Sequence, residues 1–222
     1  MQKEQYWATF DCYGTLVDWD TGMYQAIASI APEQVEQLFP LCHALQNEIE
    51  AEQPFRTYRQ VLAESLLRAS TQLGITLPPG GEHVLADTLP RWPLFDDVGP
   101  ALQALRDNGW KLVILSNVDN DLIAQTLQAF PVSIDAVITA EEVRAYKPAL
   151  NHFNTFQQRF QVDKEHWVHI ARSAFHDIAP AHTLGLRSIW VNRAHEPAPP
   201  LPPTKEIPDL TGLLAAVQEV IA

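Results

Sequence analysis

Residues 10–20 read FDCYGTLVDWD and follow a short apolar run at 6–10, YWATF. The aromatic and β-branched residues of that run are typical of a buried strand, and Asp11 comes directly after it. Open α/β sheets bind ligands beyond the carboxyl ends of their strands, so a carboxylate at this point indicates a candidate site. Tyr13 stands two residues later, where a second acid is absent. A function for this site therefore has to explain one aspartate that is followed by a tyrosine and not by a second acid.

The rest of the chain predicts a doubly wound α/β fold with a mainly parallel, Rossmann-like sheet. Further apolar runs predict strands at 111–115, 134–138, 167–171 and 187–192. Helical patterns lie between or after them, at 99–108, 119–130, 149–160, 179–186 and 209–221, the last beginning after Asp209 as a capping residue. Strands that alternate with helices predict a parallel sheet covered on both faces.

Residues 18–96 break this alternation, because no run in them resembles a strand. Helical patterns at 22–31, 33–50 and 55–73 predict an all-helical cap inserted after the first strand. The expected core then comprises residues 1–17 and 97–222. The proline-rich stretch EPAPPLPP at 196–203 predicts an extended connector.

Composition excludes several classes of function. The 222 residues are 46% apolar, which predicts a packed core, and the formal net charge is −12. That charge argues against nucleic acid or an anionic membrane as partner, since no basic excess would neutralise phosphates. Two cysteines and no run of about 20 apolar residues predict a cytoplasmic protein without a disulfide framework.

Polar side chains follow the predicted strands at the edge where a ligand would bind. They are Asp11, Tyr13, Thr15, Ser116, Asn117, Lys147, Arg172, His176 and Asp177. Carboxyl ends of parallel strands meet at one edge, so these groups are expected to converge in one crevice.

Four motifs in this order, FDCYGTL, LSNVD, YKP and FHD, resemble those of the haloacid dehalogenase superfamily of hydrolases. The resemblance covers nearly the whole chain and implies that Asp11 is a nucleophile. Attack by a carboxylate on carbon or phosphorus gives an ester that water then cleaves. Lys147 would keep Asp11 ionised, and Asp177 would orient Lys147 or the water.

The resemblance also implies which groups hold the substrate. Thr15, Ser116, Asn117 and nearby backbone amides would donate hydrogen bonds to a carboxylate or phosphate oxygen. Phosphatases of the superfamily carry a second acid where this chain has Tyr13, and a metal-binding acid where it has Arg172. Halide needs no proton to leave, and an arginine cannot bind Mg²⁺. The resemblance is therefore closest to the (S)-2-haloacid dehalogenase (type II) branch, with no metal and no cofactor.

Several positions depart from that branch. Its cap arginine, which helps bind the halide or the substrate carboxylate, would fall near Ile49, so Arg56 or Arg59 is expected to substitute for it. The neighbouring glutamates, Glu48, Glu50 and Glu52, are interpreted as a solvated helix face. Phe153 and Ala174 replace a tyrosine and an asparagine of the branch, and His176 replaces an aromatic residue.

Three functions stay open at this point. The first is a 2-haloacid dehalogenase-like hydrolase that acts on a small-molecule substrate. The second is a phosphatase, or a different C–X hydrolase, of the same superfamily. The third is a non-catalytic binding protein that retained the fold, since Tyr13 could equally be a packing aromatic. The resemblance also leaves open a homodimer formed through the cap.

Overall fold

A computed structural model describes residues 5–222. Its strands are β1 Trp7–Phe10, β2 Lys111–Ser116, β3 Ala136–Thr139, β4 Trp167–Ala171, β5 Arg187–Val191 and β6 Lys205–Ile207. They form one parallel sheet in the order β3-β2-β1-β4-β5-β6, which confirms the predicted α/β fold. The edge strand β6 was not predicted, because three residues with one buried side chain carry too little pattern.

The predicted helices are present in the predicted order with shifted ends, and two short helices, Val84–Thr88 and Ala140–Val143, were not predicted. The helices are α1 Trp19–Ile30, α2 Val35–Ala51, α3 Tyr58–Leu73, α4 Val84–Thr88, α5 Val98–Asp107, α6 Asn120–Thr126, α7 Ala140–Val143, α8 Asn151–Phe160, α9 Ala179–Thr183 and α10 Leu213–Ile221. Asp209 does not cap α10 as predicted. Its carboxylate instead accepts a hydrogen bond from the Thr211 amide, 2.8 Å away, in the turn before the helix. Within residues 5–222, no helix has the length and apolar content to cross a bilayer.

Side chains of the central strands alternate between two buried layers. Leu112 and Ile114 of β2 face the layer that contains α5 and α10, while Val113 and Leu115 face the layer that contains α8. This two-sided burial explains why the strands read as continuous apolar runs. It also leaves the carboxyl ends of the strands as the place where polar groups can gather.

Residues 11–97, all of which are described, hold helices α1 to α4 and no strand. Helix α3 begins with a capping box between Thr57 and Gln60 and ends at Gly74, whose φ of 68° is left-handed. Its residues Tyr58, Leu62, Leu66 and Ala69 are buried in the same cluster as Phe10 and Leu112 of the sheet. These helices are called the helical insert below, and the division into two domains stays a prediction.

Asp119, in the loop after β2, ties the helical insert to the sheet. Its two carboxylate oxygens accept hydrogen bonds from the amides of Tyr58 and Arg59, at 2.7 and 2.9 Å. These amides open α3, where the helix dipole favours a negative charge. The contact sets the distance between the start of α3 and the edge of the sheet.

Gly22 in α1 lies against the ring of Trp92, and replacing it by alanine is expected to destabilise the fold. A Cβ at Gly22 would stand 2.2 Å from Trp92 Cγ, closer than carbon atoms can approach. We expect the free energy of unfolding to fall by about 1–3 kcal/mol, measured by urea denaturation. Gly212→Ala is the matched control, because a Cβ there meets nothing within 4 Å. Equal stability of the two variants would contradict the tight packing of α1 on Trp92.

Candidate active site

Asp11 extends the sheet by one residue beyond β1. Phe10 lies in register between Ile114 of β2 and Ile170 of β4, and the Asp11 amide donates to the Ile170 carbonyl at 3.1 Å. Ser116 ends the neighbouring β2 at the same edge. The Asp11 carboxylate is therefore held by a rigid backbone at the carboxyl end of the sheet.

Lys147 is the centre of the site. Its ammonium group lies 3.0 Å from Asp11 Oδ1, 2.6 Å from Asp177 Oδ1 and 2.8 Å from the Leu115 carbonyl. The side chain is only 1% exposed, so all three of its donors are used inside the protein. Burial alone would lower the pKa of Lys147, but the two carboxylates outweigh it and raise that pKa. The lysine thus stays charged between its two acids.

Asp177 lies in a π-helical turn, Ala174–Ile178, after β4. Burial would raise its pKa, but the charge of Lys147 and a hydrogen bond with His169 Nε2, 3.0 Å away, lower the pKa of Asp177 well below its usual value. The carboxylate is therefore ionised. Because it takes up a proton so poorly, it is suited to orient a partner by accepting hydrogen bonds from it.

A hydrogen-bonded chain that sequence reasoning missed supports Asp177 from within the sheet. Trp167 Nε1 donates to Thr9 Oγ1 at 2.7 Å, and Thr9 Oγ1 lies 2.9 Å from His169 Nδ1. The ionised Asp177 carboxylate can only accept, so its contact with Nε2 assigns a ring proton of His169 to that nitrogen. Thr9 and His169 are paired in register on neighbouring apolar strands. That matched polar pair was the signal available in the sequence.

Two buried polar atoms of the site have no hydrogen-bond partner among the described residues. They are Ser116 Oγ and Asp177 Oδ2, and both residues line the same cavity. A buried polar atom without a partner costs about 1–3 kcal/mol. These two atoms are therefore the natural contacts for a bound substrate or water.

Thr15 and Asn117 were predicted to contact the substrate, but in the structure they hold other residues of the site in position. Thr15 Oγ1 donates to Asp11 Oδ2 at 2.8 Å and accepts from the Arg172 amide, and Thr15 does not line the cavity. Its predicted contact with substrate is thus not supported. Asn117 does line the cavity, and its amide group bonds both backbone polar atoms of Lys147, at 2.7 and 3.1 Å.

Tyr13 and Arg172 stand where a metal-dependent phosphatase would carry acids, and each has a defined partner. Tyr13 Oη lies 2.8 Å from Thr126 Oγ1, whose own proton goes to the Leu122 carbonyl, so the phenol is the donor. Burial raises the pKa of Tyr13 well above its usual value. Arg172 pairs with Asp20 at 2.7 Å.

The cavity measures about 400 Å³ and lies between the strand ends and α2. Its lining includes Asp11, Tyr13, Ser116, Asn117, Lys147, Arg172, His176 and Asp177, together with Trp19, Asp20, His43, Gln46, Glu50 and Glu196. This volume suits a small molecule. The structure thus brings together all but three of the predicted site residues.

The sequence of residues 7–185 matches the haloacid dehalogenase-like hydrolases. The chain belongs to this family. The resemblance stated from its four motifs is therefore confirmed.

Relatives within this hydrolase family include several dehalogenases. The (S)-2-haloacid dehalogenase of Pseudomonas putida is 25% identical over 190 residues, which are 83% of each chain. Haloacetate dehalogenase H-2 of Moraxella sp. (strain B) is also 25% identical, over 83% of this chain and 84% of that one.

Solved structures share the fold of this hydrolase. The L-2-haloacid dehalogenase of Xanthobacter autotrophicus with chloropropionic acid covalently bound superposes with a TM-score of 0.83 at 19% identity, over 97% of this chain and 99% of that chain. A magnesium-bound putative hydrolase of Bacillus subtilis, called HAD-hydrolase YfnB, has a TM-score of 0.81 at 20% identity, over 96% and 99%. The fold alone therefore does not choose between dehalogenase and metal-dependent chemistry.

Like Thr15, Arg56 and Arg59 do not line the cavity of this hydrolase, which corrects the expectation that one of the two arginines replaces the missing one. Arg56 pairs with Glu52 and Glu64, at 3.0 and 2.9 Å. Arg59 pairs with Asp121 at 2.8 Å and lies 3.6 Å from Asp87. Both guanidinium groups are held by acids of the surrounding surface.

Glu50 is the functional candidate that the sequence interpretation missed. It was assigned to a solvated helix face, but its side chain is 11% exposed and lines the cavity. Asn117 Nδ2 donates to Glu50 Oε2 at 3.2 Å, and His176 Nε2 lies 4.0 Å from the same oxygen. An acid from α2 therefore occupies the wall where an arginine was expected.

Proposed function

We propose that this chain is a hydrolase that uses Asp11 as a covalent nucleophile, of the 2-haloacid dehalogenase type. The observation that carries the proposal is the Asp11–Lys147–Asp177 array at the edge of a small cavity. Neither Tyr13 nor Arg172 supplies the second acid or the metal ligand that phosphoryl transfer by this family would use. The substrate would be a small 2-haloalkanoic acid.

In the first step the Asp11 carboxylate attacks the α-carbon, and the carbon–halogen bond breaks with its electron pair leaving on the halide. The product is an ester in which one oxygen of the Asp11 carboxylate is bonded to C2 of the alkanoic acid. Lys147 keeps Asp11 charged and aligned until it reacts, while Thr15 holds its other oxygen. Ser116 Oγ, which has no partner among the described residues, is free to donate to the substrate carboxylate.

In the second step water attacks the carbonyl carbon of the Asp11 ester. The ester bond breaks, the hydroxy acid leaves, and the Asp11 carboxylate is regenerated, with one proton released to solvent. Asp177 Oδ2, buried and unpartnered among the described residues, is suited to accept a hydrogen bond from this water and orient it. Lys147 links the two carboxylates, so both steps share one cation.

The donor set at the strand ends does not suit a hard divalent cation. Mg²⁺ requires several oxygen ligands in an octahedron, but Lys147 already occupies the space between Asp11 and Asp177. Within residues 5–222, no cluster of three or more candidate metal ligands is found. This arrangement of charges supports catalysis without a metal.

The test is halide release from 2-chloropropionate in the presence of EDTA. We expect steady release that added Mg²⁺ does not increase. A single turnover with excess enzyme in heavy-oxygen water should label the Asp11 carboxylate and leave the product hydroxyl unlabelled, because water attacks the ester carbonyl. Label in the product would mean direct attack by water, and metal-dependent phosphate release without halide release would favour the phosphatase alternative.

A further inference from the structure

Glu50 reaches the cavity from the end of α2. Of the residues lining the cavity, His43, Gln46, Asn47 and Glu50 belong to this one helix, while Asp11 and Ser116 come from the strand ends. A displaced group leaves on the side opposite the attacking carboxylate. A group that leaves Asp11 toward the helical insert would therefore meet the wall formed by α2.

The groups around Glu50 decide its charge. Lys147 and Asn117 favour the carboxylate, while Tyr58, Tyr146 and the neutral ring of His176 face it without a full charge. Burial outweighs them and raises the pKa of Glu50 to about 8. At neutral pH the side chain is therefore mostly a carboxylic acid, which has a proton to donate.

Hydrogen bonds indicate which oxygen carries that proton. Oε2 accepts from Asn117 Nδ2 at 3.2 Å, so it is the carbonyl oxygen. Oε1 has no hydrogen-bond partner among the described residues, and it is left with the O–H group. Ser173 Oγ accepts from the His176 amide and lies 3.0 Å from His176 Nδ1, so this ring is held beside Glu50. Glu50 thus presents a neutral donor to the cavity.

We propose that Glu50 is the hydrogen-bond donor that receives the leaving group in the Asp11 displacement. The inference rests on the proposed function and names the residue that does the work of the missing arginine. The halide departs with the electron pair of its bond to carbon, and Glu50 retains its proton while sharing it with the halide. Fluoride is the most basic halide and the strongest hydrogen-bond acceptor among them. It should therefore depend most on Glu50.

Turnover of matched substrates tests the role of Glu50. Relative to wild type, Glu50→Ala should lower kcat/KM for 2-fluoropropionate by about 10²-fold and for 2-bromopropionate by less than about 10-fold. The wild-type profile for fluoride release should fall as pH rises through about 8, whereas that of Glu50→Gln should be flat there. Glu48→Gln is the matched control, because Glu48 is exposed on the same helix. Equal losses with both halides would overturn the proposal.

A second readout does not depend on turnover. Fluoride ion, the product anion, should quench or shift the fluorescence of Trp19 in the cavity wall, and its affinity should weaken at least 10-fold in Glu50→Ala and above pH 8. If fluoride binding depends on Glu50 but no halide is released, Glu50 stands as the hydrogen-bond donor to the halide and the proposal for Asp11 fails. If the wild type releases halide but fluoride binds equally well to Glu50→Ala, the proposal for Asp11 stands and the one for Glu50 fails.

Discussion

Replacing Asp11 by asparagine is expected to lower halide release from 2-chloropropionate by about 10⁴-fold or more, because the variant cannot form the ester. An amide of the same shape can still contact Lys147 and Thr15, so the protein should fold with little change in thermal stability. The measurement is the rate of chloride release under saturating substrate. Mass spectrometry of each preparation must exclude deamidation, which would regenerate Asp11.

Asp18→Asn is the matched control for that variant. Asp18 accepts a hydrogen bond from the Thr21 amide at the start of α1, a role that asparagine fills equally well. Its halide release should equal that of the wild type. Retention of more than about a tenth of the activity in Asp11→Asn would remove Asp11 as the nucleophile, since uncatalysed attack by water cannot supply such a rate.

Replacing Lys147 by methionine is expected to lower the free energy of unfolding by about 3–5 kcal/mol at pH 7, and to abolish halide release. The substitution leaves the buried carboxylates of Asp11 and Asp177 without their shared cation. The measurement is urea denaturation. Lys111→Met is the control, because Lys111 pairs with Asp135 at 2.8 Å while 44% exposed, and its loss should cost less than about 1 kcal/mol.

Acid should reduce the difference between wild type and Lys147→Met. The folded-state pKa of Asp177 is depressed, so its stabilising contribution is present above the ordinary pKa of about 4 and is lost as pH falls below it. In the variant, Asp177 can take up a proton as the pH falls, which removes its uncompensated charge. We expect the stability deficit to be smaller at pH 4 than at pH 7. A deficit that does not change with pH would indicate lost packing instead of lost charge pairing.

The sequence predicted the strand-end residues because topology alone brings them together. Asp11 and Ser116 follow apolar strands, and parallel strands end at one edge whatever their loops do. Lys147 is different, since it comes from the loop between α7 and α8 and a lysine before a proline is usually solvated. The YKP motif and its place in the order of the four motifs indicated that Lys147 belongs to the site. Its near-complete burial follows from its contacts with Asp11 and Asp177, which are 136 and 30 residues away in the sequence.

The opposite wall of the cavity could not be predicted in the same way. Helical periodicity places Ile49 inside, but it does not say that the tip of Glu50 meets Asn117, 67 residues later. Arg56 and Arg59 were assigned to the cavity because a cation was expected there. Arg59 pairs with Asp121, which lies 62 residues later, and helical periodicity cannot connect residues at that separation. Packing of the helical insert on the sheet decides all of these contacts.

The hydrogen bonds from α3 to Asp119 allow the substrate preference of the chain to change while the residues at the strand ends stay in place. By holding the first amides of α3, it fixes the gap between the insert and the loop that carries Ser116 and Asn117. Substitutions on α2 then change which side chains face that gap, while Asp11 and Lys147 keep their places. Selection can therefore exchange one wall of the cavity, as Glu50 illustrates, without rebuilding the other.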